Sequence, residues 1–182
     1  MSKLGIQCCK YSVMDETGKY SGPKEGGTLV AFNGSPNKTE AEDWGDNTIV
    51  ESNKSVTKIN LSMELNDLEG EKYAELCGHT YETESKKVTI KTTDNSPFVG
   101  VGAIGNSERN KKEVFILKFY PKMQFSDPND DNSTGTETKD YKHVTIDGVG
   151  YPDKDNVLKI EQEFATLEEA KTALDKLLAA AG

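Results

Sequence analysis

The chain has 182 residues, 34% hydrophobic and 29% charged, with 31 acidic side chains against 22 basic ones and a net charge of −9. That length holds one good-sized domain or a domain with appendages. Recurring apolar runs set the chain apart from a disordered polymer. The acidic balance excludes a protein that grips nucleic acid through its phosphates, while suiting a surface that nucleic acid passes without sticking.

No apolar run approaches the roughly 20 residues that span a bilayer. MSKLGIQCCKYSVMD at the start lacks the apolar stretch of a signal peptide, which predicts a protein made and kept in a reducing cytoplasm. Cys8, Cys9 and Cys77 are an odd and sparse set that argues against a disulfide framework. The sequons at Asn37, Asn53, Asn60 and Asn132 then read as chance products of a polar surface.

In chain order, TLVAFN (28–33) is a short strand, followed by a long, polar, acidic loop over 34–55 that holds the only tryptophan, Trp44. Loops of this length are functional or disordered. VTKINLSMEL (56–65) alternates Ile59, Leu61, Met63 and Leu65 on one face, the pattern of a half-buried strand. A helix follows over about 67–77, with Asn66 and Glu69 as its capping box and Gly78 as its left-handed terminator. KVTIKTT (87–93), PFVGVGAIG (97–105) and EVFILKFYPKMQF (113–125) continue the strands, the last apolar on both faces around Phe115–Phe119. A second polar loop spans 126–140; strands over 140–150 and 156–165 complete the set. The final helix, about 166–180, carries a Thr166/Glu169 capping box and a stripe of Leu167, Ala170, Leu174, Leu177 and Leu178.

Short strands punctuated by turn residues predict a mainly β (α+β) fold, a sandwich or barrel rather than a doubly wound sheet. The division read from this pattern is a β domain over 1–152 and a C-terminal strand and amphipathic helix over 153–182.

GVGAIG (100–105) matches the G-x-G-x-x-G of dinucleotide-binding proteins, but that motif needs a following helix to hold the phosphates. Here NSERNKKE makes a turn into another strand, so the glycines lie on a hairpin and there is no nucleotide cofactor. Gly100 and Gly102 share one face, where absent side chains allow close approach by a neighbouring strand or subunit. Cys77-Gly78-His79, with Cys8 and Cys9, offers four ligands of types zinc accepts, yet Cys8-Cys9 lacks the gap that turns two thiolates to one metal. The preferred reading is a buried Cys77 at a helix end, His79 in the exit turn, and no metal. The loop from Asp130 has Gly135 in a calcium loop's turn position but Tyr141 in the twelfth place, where a bidentate carboxylate belongs. His143 has no Ser or Cys partner in view, and nothing marks an enzyme.

Several blocks together resemble the major tail protein family of long, non-contractile-tailed phages that infect Gram-positive bacteria. They are WGDNTIVESNKSVTKINLSMEL (44–65), LEGEKYAELCGHTYE (68–82), SPFVGVGAIGNSERNKKEVFILKFYPKMQFSDPNDD (96–131), YKHVTIDGVGY (141–151) and EFATLEEAKTALDKLL (163–178). The resemblance rests on the order and spacing of these blocks rather than on one motif. It implies a tail-tube fold of two packed antiparallel sheets, sandwich- or barrel-like, with a flanking helix and a C-terminal helix. It also implies a structural virion protein without catalytic activity, cofactor or metal. Hexameric rings would stack into a tube that conducts DNA without binding it, in contact with the tape measure and tail terminator proteins. Its place would be the virion tail, and the host cytoplasm during assembly, with no membrane contact. The acidic balance agrees with a lumen that repels a polyanion. The family's hairpin corresponding to 34–55 reaches toward the next ring, which marks Trp44 as a candidate subunit-contact residue, the alternative being that it folds back onto its own domain. Gly100 and Gly102 are candidate subunit-contact residues on the separate ground of their close approach to a neighbouring strand or subunit. The alternative is a non-catalytic β-sandwich binding or adhesin-like module.

Overall fold

The computed structural model describes residues 2–45, 48–129 and 143–179, with the side chains of 2–4, 39–45 and 48–54 outside the description. The chain is mainly β. In order it forms β1 (Ser2–Val13), β2 (Lys24–Glu25), β3 (Leu29–Gly45), β4 (Thr48–Leu65), α1 (Gly70–Cys77), β5 (Thr80–Glu82), β6 (Lys87–Thr89), β7 (Val99–Arg109), β8 (Lys112–Phe125), β9 (Val144–Gly150), β10 (Ile160–Phe164) and α2 (Leu167–Ala179).

One large antiparallel sheet has the order β2-β1-β7-β8-β9-β4-β3, and β10 also pairs with β8; β5 and β6 form a separate small sheet. β8 serves two partners along one edge. Its first half pairs with β10, from Phe115 opposite Phe164 to Phe119 opposite Ile160. Its last residues, Met123 to Phe125, pair with β9 instead. Pro121 lies between the two stretches, where its missing N–H costs no ladder bond. The register with β7 slips at the same place, Val99 facing Met123 while Val101 faces Tyr120. A bulge of this kind bends a strand and deepens its twist, and here it marks where the sheet turns over.

Past that bend β9, β4 and β3 fold across β1, β7 and β8, and β1 and β3, distant in strand order, come back into contact. Between them lies a core of Cys9, Tyr11, Phe32, Leu61, Met63, Leu65, Val99, Val101, Tyr120, Met123, Phe125 and Ile146, closed at one end by Leu76 and Cys77 of α1. On the other face of β7 and β8, Ile104, Leu117 and Phe119 pack against Ala170, Leu174 and Leu178 of α2. This explains the apolar run at Phe115–Phe119: β8 is covered on both sides. Of the C-terminal segment, β10 lies on β8 and α2 on this outer face, where Lys10 of β1 meets Asp175 of α2 at 2.7 Å. Thr166 Oγ1 accepts a hydrogen bond from the Glu169 amide at 3.3 Å at the start of α2.

Two local expectations are corrected. The 34–55 segment is a two-stranded arm of β3 and β4 rather than a loop: Gly34 faces Leu61, and pairing continues through Lys38–Val56 to Gly45–Thr48. β9 lines β4 only from Ile59 to Leu65, so the arm beyond has no second ladder partner among the described residues. Its backbones pair with each other over this stretch. At α1 the Asn66/Glu69 box does not form. Glu69 is the N-cap and makes no side-chain cap bond, and the helix starts at Gly70. The Asn66 amide is engaged elsewhere, donating to the Thr28 carbonyl at 3.0 Å.

Candidate functional site

Three places gather the residues singled out from the sequence. The first is the glycine strand. β7 and β8 form the expected hairpin, and Asn110 and Lys111 at its tip both have positive φ, 53° and 61°. Two left-handed residues make the turn whose twist matches paired strands. No helix follows the glycines, so nothing there resembles a phosphate cradle. Both Gly100 and Gly102 are buried. A Cβ on Gly100 would stand 2.7 Å from the Tyr20 ring, whose hydroxyl donates to the Pro121 carbonyl at 2.6 Å. A Cβ on Gly102 would collide with Leu174 Cδ1 and lie 3.2 Å from the Lys118 carbonyl. Within the chain, the groups these glycines make room for are therefore Tyr20 and Leu174 of α2.

The second place is the β3–β4 arm. Past Ile59, Thr48–Lys58 and its β3 partner run for on the order of 30 Å at strand rise with two open edges among the described residues. Val56 on the arm is 44% exposed, and so is Val30 where β3 meets the body. Val30 and Phe32 also line a groove of about 290 Å³ with Ile6, Ala103 and Ile116, where β1 and β3 approach. Trp44 stands opposite Ile49 in the backbone register; its side chain lies outside the described residues, as does the Asp130 loop.

The third place is the end of α1. Gly78, at φ 80°, closes the helix by donating to the Ala74 carbonyl at 2.8 Å, and the His79 amide donates to the same oxygen at 2.8 Å. Glycine is favoured in that backbone, and an added Cβ would run into the Asn95 carbonyl. The turn brings His79 under the ring of Tyr73, 5.2 Å between centroids. The His79 ring is bridged by carboxylates at both nitrogens: Nδ1 to Asp94 at 3.0 Å and Nε2 to Asp127 at 2.6 Å. Asp94 also accepts from the Lys91 amide at 2.9 Å, and Tyr73 donates to Asp127 at 3.1 Å. Burial works against charge on His79, but the bonds to Asp127 and Asp94 outweigh it and raise its pKa. Cys77 Sγ, a His79 ring nitrogen and an Asp127 oxygen lie within 4.8 Å of one another.

The other thiols lie elsewhere. Cys9 is in the core and Cys8 packs beside α2, both on β1. Burial pushes Cys9 up to about 12, and burial with the nearby Asp127 carboxylate does the same to Cys77, so neither is a ready nucleophile at neutral pH. His143 Nδ1 meets Glu64 at 2.9 Å across the β9–β4 edge. The carboxylates at His79 were missed from sequence because they arrive from 15 and 48 residues away and look like any solvated acid. Among the described residues no helix is long and apolar enough to cross a membrane.

No protein-family model matches this chain, and no curated protein matches it.

Proposed function

We propose that the chain is a structural, self-assembling protein, the major tail tube subunit of a long-tailed phage, whose hexameric rings stack into a tube that conducts DNA. The observation that carries this reading is the β3–β4 arm: a ribbon whose outer edges have no ladder partner among the described residues and which carries an exposed Val56. Open edges invite pairing with another chain, and a repeated heterologous contact closes into rings or stacks into filaments. The net charge of −9 suits a lumen along which a polyanion slides. In this reading the protein is not an enzyme, its partners are its own copies together with the tape measure and tail terminator proteins, and its place is the virion tail, after assembly in the host cytoplasm.

The experiment is assembly of the purified chain with and without a break in the arm. Lys38→Pro removes a donor from β3 outside the core-covered part of the strand. The intact chain forms rings or tubes, and the variant stays folded but unassembled. Equal assembly by both contradicts the role of the arm. An intact chain that remains monomeric and binds glycans favours the binding-module alternative.

A further inference from the structure

The sequence argues against a zinc site because Cys8 and Cys9 cannot join Cys77 and His79. The fold supplies different partners. We propose that Cys77 Sγ, His79 Nε2 and Asp127 form a three-ligand site for Zn²⁺, with Asp94 as the carboxylate that orients the histidine and water in the fourth position. This goes beyond the assembly reading and stands or falls independently of it.

Three features carry it. The donor set is one thiolate, one imidazole and one carboxylate, a mixture that suits zinc and does not suit the oxygen-seeking Mg²⁺ or Ca²⁺. The spacing is right: bonds of about 2.3 Å to sulfur and about 2.0 Å to nitrogen or oxygen give tetrahedral edges of about 3.3–3.5 Å, and the three donor atoms already lie within 4.8 Å. His79 and Asp127, at 2.6 Å, need only part slightly to admit an ion. The third feature is the supporting shell. Asp94 holds Nδ1 and is itself held by the Lys91 amide, which leaves Nε2 to face Asp127. Such a carboxylate behind a histidine is the usual companion of a zinc ligand, and the Tyr73 hydroxyl holds Asp127 in the same way.

Charge and access agree. A thiolate and one carboxylate balance a divalent ion, and the protons displaced from Cys77 and Nε2 pass to solvent. Cys77 is 2% exposed and the His79 side chain 4%, whereas Asp127 is 51% exposed, so the ion enters from the Asp127 side and keeps a water there. Bound zinc would staple the segment after β8 to the end of α1.

The test uses the full chain, kept reduced, stripped with chelator and titrated with Co²⁺. One equivalent binds, giving a near-ultraviolet sulfur-to-cobalt band and the visible bands of a tetrahedral ion, and Zn²⁺ displaces it. Cys77→Ala loses the sulfur band, and Asp127→Asn weakens binding at least tenfold. Asp94→Asn weakens it by about 10- to 100-fold while keeping the band. Circular dichroism checks that each variant is folded. The wild-type chain gives a check that needs no variant: Zn²⁺ shifts the His79 Nε2 nitrogen resonance. Absence of the sulfur band in the wild-type chain overturns the proposal, as does its persistence in Cys77→Ala or an unmoved His79 resonance.

Discussion

Leu174 of α2 lies directly over Gly102 of β7, so close that a Cβ on the glycine would occupy the space of Leu174 Cδ1. The contact joins the outer helix to the central strand, and Leu174 is fully buried in it with Leu117 and Phe119. Gly102→Val must displace Leu174 and press on the Lys118 carbonyl, and overpacking of this kind costs about 1–3 kcal/mol. Urea denaturation of the variant reads that loss, with nucleotide having no effect on either protein.

Removing the other partner acts in the opposite sense at the same place. Leu174→Ala leaves a cavity between α2 and the sheet, and such truncations cost about 2–5 kcal/mol. Because Gly102 and Leu174 touch, the double variant Gly102→Val, Leu174→Ala should recover part of the summed loss. Strict additivity of the two losses would mean that the contact is not the one described.

Glu75 sets an acid limit on stability. Burial pushes its carboxyl up, but hydrogen bonds from Lys24 and from Tyr11, the latter at 2.7 Å, outweigh it and hold the group below its ordinary 4.5. A depressed pKa in the folded state adds stability that is fully present above the unfolded value and fades as pH falls through the folded one. Stability of the wild-type chain therefore drops below about pH 4.5 in part through Glu75. Glu75→Gln is less stable at neutral pH and loses less on acidification, as thermal melts between pH 7 and pH 3 would register.

Trp44 sits in a polar arm, where an aromatic side chain has most to gain at a contact between subunits. Trp44→Ala should reduce assembly at least tenfold in critical concentration while far-ultraviolet circular dichroism and melting of the monomer stay unchanged. A variant that assembles normally, or one that melts much earlier, would remove Trp44 from the interface.

What could be read in the sequence follows from which faces are covered. Ile59, Leu61, Met63 and Leu65 alternate because β4 has one face in the core there, and the α2 stripe is plain because one side of the helix is buried. β1 carries no clear strand pattern in its residues. Its register with β7 shifts between Lys3 and Gly5 and again between Ile6 and Cys8, and each shift breaks the two-residue period on which recognition depends. The arm is illegible for a different reason: TEAEDWG and TIVESNKS are polar and acidic runs without the apolar alternation that marks a half-buried strand. The glycines at 100 and 102 did announce close approach, but only the fold shows that Tyr20 and Leu174 make it. The His79 cluster was half legible: Cys77 and His79 were visible as neighbours, and Asp94 and Asp127 became partners only through folding.

Self-assembly is the claim on which the account turns. Negative-stain electron microscopy of the concentrated full chain, over a range of protein and salt concentrations, tests it most directly. The account predicts rings with a central hole, or tubes built of them. A chain that stays monodisperse and monomeric throughout would contradict it.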